Sequence, residues 1–156
     1  MENKDIQFMK VALSLASEAF EIGEIPVGAL VVDSNGEIIS SAYNLRETKK
    51  NATAHAEILA IEQACAALGS WRLKGCTLYV TLEPCPMCAG ALVNSRIDRV
   101  VFGAYDMQAG CCGSVINFNA YPFNHAFAIN GGVLEKECRE VLQSFFENKR
   151  KNDNCR

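Results

Sequence analysis

The stretch that most restricts the fold of this chain is Thr77-Leu78-Tyr79-Val80-Thr81-Leu82-Glu83-Pro84-Cys85-Pro86-Met87-Cys88. It sets a β-rich run, Thr77 to Leu82, directly against a segment built to start a helix. A residue before proline is pushed out of helical backbone, while proline suits the first helical position because the N–H it lacks would be unpaired there. Cys85 is therefore the predicted helix cap and Cys88 the third helical residue. Both sulfurs can converge just off the helix N-terminus, where the dipole and free N–H groups favour thiolates. The helix runs to about Ser95 and a further strand spans Arg99 to Gly103. Strand, helix and strand at this spacing predict a parallel crossover unit.

The rest of the chain arranges itself around that unit. Ile6, Met9, Leu13, Ala16 and Phe20 recur at steps of three and four, predicting an opening amphipathic helix that Gly23 stops. Val27 to Asp33 and Glu37 to Tyr43 are β-rich runs joined by Ser34-Asn35-Gly36, a strong antiparallel hairpin signal. Residues 44 to 53 are polar and aperiodic. Thr53 is then expected to cap a helix to about Leu68, ended by Gly69. A Gly-rich and Asn-rich region from about Gly110 to Asn124 precedes a last helix from about Leu134 to Lys149. Neither repeat nor linker divides the chain, so the 156 residues predict one α/β domain over 1–156, a mixed sheet covered by helices.

Composition excludes several classes. The start Met1-Glu2-Asn3-Lys4-Asp5 has no signal-peptide character and no later run is long enough to span a bilayer, which predicts a cytoplasmic chain without a membrane partner. The net charge of −3 supplies no global field for nucleic acid, although Arg46, Lys49 and Lys50 share one predicted loop and Lys149, Arg150 and Lys151 cluster near the end. Of the eight cysteines, Cys65, Cys76 and Cys138 read as buried thiols in apolar patterns. Cys111 and Cys112 read as a structural pair in a turn, and Cys155 falls in a polar tail. Cys85 and Cys88 alone stand at a ligand-like spacing.

His55-Ala56-Glu57 supplies the second half of a constellation. Two residues apart, the imidazole and the carboxylate would diverge along a helix flank, so they can share a site only at a helix end. With Thr53 as cap, His55 falls in the first turn. One imidazole and two thiolates suit zinc, and a fourth position left open marks a catalytic site, where the metal lowers the pKa of water toward about 7. Glu57, not a ligand, is then the proton carrier. Two rival readings use fewer of these residues. A thioredoxin-like redox pair accounts for Cys85 and Cys88 alone, and a structural zinc site would need a closing ligand such as His125.

His-x-Glu followed by Pro-Cys-x-x-Cys is the zinc-deaminase signature. Beyond it, Gly23-Glu24-Ile25-Pro26-Val27-Gly28, Asn44-Leu45-Arg46-Glu47, Thr53-Ala54-His55-Ala56-Glu57, the 77–91 block, Val100-Val101-Phe102-Gly103-Ala104 and Ser144-Phe145-Phe146 carry a resemblance over nearly the whole chain. It resembles the bacterial tRNA-specific adenosine deaminases of the cytidine deaminase-like superfamily. Guanine and cytosine deaminases of the same fold share the central block. The resemblance implies a three-layer α/β/α fold with a five-stranded mixed sheet, one Zn(2+) per subunit and a homodimer. It also implies hydrolytic conversion of adenosine to inosine at wobble position 34 of a tRNA anticodon stem-loop, usually of an arginine tRNA. By the same resemblance, Asn44 bonds the flipped base, the Ala56 backbone holds its edge, and Val27 and Pro26 shape the pocket. Asp106 lies beside the RNA strand, Phe146 stacks on an anticodon base, and Arg46, Lys149 and Arg150 meet phosphates. Helical periodicity requires one of Phe145 and Phe146 to be core without deciding which. At the C-terminus, Glu147 and Asn148 depart from the more basic or apolar residues of relatives.

Overall fold

The computed structural model describes residues 3–154, so Cys155 lies outside the described residues. The elements are α1 (Lys4–Glu21), β1 (Gly28–Val32), β2 (Ile38–Tyr43), α2 (Ala56–Leu68), β3 (Thr77–Leu82), α3 (Pro86–Asn94), β4 (Arg99–Ala104), β5 (Ala128–Asn130) and α4 (Glu135–Asn154). One five-stranded sheet has the order β2-β1-β3-β4-β5. β1 is antiparallel to β2 and β3, while β3, β4 and β5 run parallel. The hairpin and the β3–α3–β4 crossover are those the sequence predicts. β5 is a strand that the residues themselves did not announce, three residues long and paired through Arg99 with Ala128.

Alternation along the strands divides the core into two layers. Ala29 and Val31 of β1, Leu78 and Val80 of β3, and Val100 and Phe102 of β4 face α2 and α3. Leu30, Val32, Tyr79 and Val101 face the other way, toward Met9 and Ala12 of α1 and Cys138 of α4. The result is the expected three-layer α/β/α arrangement.

The buried stripe of α1 is Met9, Ala12, Ala16 and Ala19, rotated from the predicted one: Leu13 and Phe20 lie at its partly covered edges. Gly28 explains the rotation. A Cβ on Gly28 would sit 2.1 Å from Ala12 O and 2.7 Å from Ala16 N, so helix and strand meet backbone to backbone where only small residues fit. The start of α1 is tied to the sheet by Asp5, which takes a bidentate pair from Arg99 (2.6 and 3.0 Å) and the Tyr79 hydroxyl (2.7 Å). Arg99 Nε also donates to Asn130 Oδ1 (2.8 Å), joining β4 to β5. Among the described residues no helix is long and apolar enough to cross a membrane.

Candidate active site

Two helices begin at this site in the same way. His55 is the cap of α2 (φ −72°, ψ 151°) and Cys85 the cap of α3 (φ −75°, ψ 176°), both in extended backbone. Each carbonyl accepts the first helical hydrogen bond, from Leu59 N at 3.1 Å and Ala89 N at 2.8 Å. Neither side chain caps its own helix, so imidazole and thiol are free to turn toward a shared point. This corrects the expectation for Thr53. Its amide and hydroxyl both bond Asn51 Oδ1 (3.0 and 2.9 Å), it stands outside the helix, and His55 is the cap itself. Cys85 as cap and Cys88 in the first turn are as predicted.

His55 Nδ1 lies 3.7 Å from Cys85 Sγ and 3.6 Å from Cys88 Sγ, and the three ligand atoms all fall within 4.8 Å of one another. A tetrahedral zinc with ordinary Zn–S and Zn–N lengths spans an N-to-S edge of about 3.6 Å. The donor set and its spacing thus fit zinc with one position left for another ligand. Electrostatics agree with a cation site. Hydrogen bonds from Cys88 and then His55 pull the Cys85 thiol down to about 4. The same bond to Cys85, together with burial, pushes Cys88 up. Bonding to Cys85 likewise raises His55. Glu57 is 4% exposed, and burial raises its carboxyl above the usual range.

A pocket of about 190 Å³ opens over this cluster, with His55, Glu57 and Cys85 in its walls. Cys88 is fully buried beside them. Of the residues singled out from the sequence, Val27, Asn44, Arg46, Ala56 and Asp106 also line the pocket. Asn44 is buried, its Nδ2 donating to Ile25 O (3.2 Å) and its Oδ1 accepting from Arg46 N (3.1 Å), which fixes the amide's orientation. Pro26 is buried between the wall residues Ile25 and Val27 without lining the pocket itself.

The C-terminal residues are not brought there. Phe145 is buried at 9% and packs edge-on against Phe20, whereas Phe146 is 42% exposed, which settles which of the pair is core. Lys149 lines a separate groove with Phe20, Gly23 and Phe145, and Arg150 lies on the exposed face of α4. His125 Nε2 donates to Ile97 O (2.6 Å) and braces its loop, outside the ligand group.

Sequence reasoning missed two buried carboxylates. Glu24, 1% exposed, accepts from the amides of Glu47 (3.0 Å) and Thr48 (2.9 Å) and so holds the loop bearing Arg46. Glu83, also 1% exposed and in the pocket wall, does the same for the loop after β4. The available signal was a lone charge in an otherwise apolar and proline-containing stretch in each case.

Comparison with known proteins bears on the same residues. The family described as the cytidine and deoxycytidylate deaminase zinc-binding region matches residues 2–104. A tRNA-specific adenosine deaminase of Bacillus subtilis (strain 168) is 54% identical over 149 residues, covering 95% of this chain and 92% of the relative. A solved structure from a study of A-to-I editing by tRNA:A34 deaminases superposes with a TM-score of 0.84 at 43% identity, covering 87% of this chain and 99% of that one. The guanine deaminase structure from Bacillus subtilis is 41% identical but covers 67% of this chain and 66% of that one, with a TM-score of 0.62. The chain therefore belongs to the zinc-binding cytidine and deoxycytidylate deaminase family, and within it to the tRNA-specific adenosine deaminases.

Proposed function

We propose that this chain hydrolytically deaminates adenosine to inosine at wobble position 34 of a tRNA anticodon, probed most directly with an arginine tRNA stem-loop. In this reading, His55, Cys85 and Cys88 hold one zinc per subunit and Glu57 carries the protons. The observation that supports it most is a single pocket whose walls combine the metal-site residues His55 and Cys85 with Glu57, Asn44, Ala56, Val27 and Asp106. Zinc bound there supplies Lewis acidity that lowers the pKa of water toward about 7.

The chain's own groups do the rest. Glu57 takes one proton from the attacking water and gives it to the purine ring nitrogen, then takes the remaining hydroxyl proton and gives it to the amino group as the C–N bond breaks and ammonia departs. Burial, which raises its carboxyl, suits it to hold a proton between those steps. Asn44, its amide already oriented by Ile25 and Arg46, presents its remaining hydrogen-bonding capacity to a base flipped out of the anticodon loop. The Ala56 backbone, at the first turn of α2, meets the base edge, and Val27 closes the pocket with Pro26 behind it. Asp106 borders the RNA strand. Phe146, exposed on α4, stacks on a neighbouring base, while Arg46, Lys149 and Arg150 meet phosphates. Because α4 does not line the pocket, these last contacts accord with a homodimer presenting one RNA surface from both subunits. The 1–156 chain acts as one domain in the cytoplasm.

Incubating the zinc-loaded protein with an adenosine-containing anticodon stem-loop, free guanine and free cytosine tests the assignment. Inosine formation and ammonia release with the stem-loop are expected. Turnover of guanine alone overturns the tRNA reading in favour of a free-base deaminase.

A further inference from the structure

Glu83 sits at the junction of β3 and Pro84-Cys85, yet both of its oxygens are turned to the loop after β4. Oε1 accepts from Asp106 N (3.1 Å) and from the Ser114 hydroxyl. Oε2 accepts from Cys112 N (3.0 Å) and Ser114 N (3.1 Å). One side chain, 1% exposed, thus gathers donors from both ends of the segment 106–114. A buried carboxylate is costly unless its oxygens are satisfied, and here each takes two donors. Gly110 shows how closely the loop wraps it: an added Cβ would lie 2.3 Å from Glu83 Cδ and 2.5 Å from Oε2. Cys111 N also donates to Pro84 O (2.9 Å), so the loop is anchored to the residue preceding Cys85.

The loop carries two pocket-wall residues, Asp106 and Ala109. Asp106 Oδ1 accepts from the amides of Gln108 (3.0 Å) and Ala109 (3.1 Å), so its side chain is set by the same turn that Glu83 clamps. We propose that Glu83 is a positioning residue for this reaction: it presents Asp106 and the 106–114 loop to the substrate strand beside the metal-site residues, without itself touching the reacting atoms. The proposal rests on the tRNA reading above.

Glu83→Gln keeps the size of the side chain. If Oε2 becomes the amide NH₂, the backbone N–H groups of Cys112 and Ser114 face a donor; if Oε1 does, the Asp106 N–H faces one while the Ser114 hydroxyl can turn to accept, so either way a backbone donor loses its acceptor and the clamp on the loop is weakened. Zinc content is expected to stay at that of the unaltered protein. The KM for the anticodon stem-loop is expected to rise about tenfold or more with kcat changed by less than about threefold, the signature of lost uniform binding. Amide hydrogen exchange in the 105–115 peptide should accelerate in parallel. If Glu83→Gln fails to fold, Ser114→Ala, which removes one donor of the four, should give a smaller KM rise in the same direction, and Ser114→Thr should restore it. A KM within twofold of the unaltered protein in the folded variants, or an activity loss that simply tracks lost zinc, overturns the proposal. Should the unaltered protein leave the stem-loop untouched, the substrate reading falls instead, and the exchange measurement still decides whether Glu83 holds the loop.

Discussion

Glu57→Gln separates proton transfer from metal binding at this site. The substitution preserves size at a position 4% exposed, so the side chain can occupy the same space beside Cys88 and His55. It removes the group able to exchange a proton. A positioned acid–base side chain contributes about 10²–10⁴-fold to rate, or about 3–5 kcal/mol of barrier at the usual conversion. Turnover of the zinc-loaded variant on the stem-loop should fall by that factor. Zinc content, measured by metal analysis, should not change, because the three ligand atoms that meet within 4.8 Å do not include the carboxylate. The metal-free variant should melt higher than the metal-free parent, since burial disfavours the Glu57 carboxylate and the amide carries no charge to desolvate. A gain of about 1 kcal/mol moves the midpoint by about 2–4 °C for a chain of this size. Activity within tenfold of the parent would falsify the proton-carrier role. Zinc lost in proportion to activity would make Glu57 part of the metal site instead.

Four further outcomes test the fold and the RNA surface. Hydrogen bonding to Arg99 holds the Asp5 carboxyl below its ordinary value of 3.8, so its stabilisation is complete above that value and is lost as pH falls through the lower folded pKa. Asp5→Asn should cost about 1–2 kcal/mol at neutral pH and remove this acid dependence in urea titrations; an unchanged acid limb would contradict it. Gly28→Ala should lose about 3 kcal/mol or more, because the new Cβ meets backbone atoms of α1, and a near-neutral midpoint would refute the close approach. Phe145→Ala should cost about 3–5 kcal/mol of stability, whereas Phe146→Ala should leave stability nearly unchanged and weaken stem-loop binding. Neutralising Lys149 and Arg150 together should flatten the salt dependence of that binding, and an unaltered slope removes them from phosphate contact.

The parts of the fold that the sequence exposes are those whose pattern is local. The β1–β2 hairpin is written in two β-rich runs and an Asn-Gly turn, and the β3–α3–β4 crossover in a β-rich run followed by Pro86 at the first helical position. β5 is different: Ala128-Ile129-Asn130 is too short to show a period, and it is a strand because backbone pairing with β4 makes it one. The face of α1 escaped for a similar reason. Hydrophobic period placed Met9 and Ala16 on the buried face as observed but also favoured Leu13 and Phe20, whereas the close approach of Gly28 sets Ala12 and Ala16 against β1, and nothing within the helix itself announces a glycine on a distant strand.

At the site, chemistry made the ligands readable while geometry revised the account of how they meet. Two residues apart on a helix, His55 and Glu57 would point about 200° from each other, and placing His55 inside the first turn only softens that conflict. The observed cap removes it. Extended backbone at φ −72°, ψ 151° takes His55 off the helical screw, so that His55 and the already helical Glu57 line the same pocket. Cys85 repeats the device at the end of α3, where Cys88 occupies the helical position that Glu57 narrowly precedes on α2. Each helix start therefore offers one group from its cap and another from its first turn. Two such starts facing one point bring one imidazole and two sulfurs together beside one buried carboxylate, a combination that neither helix could supply alone.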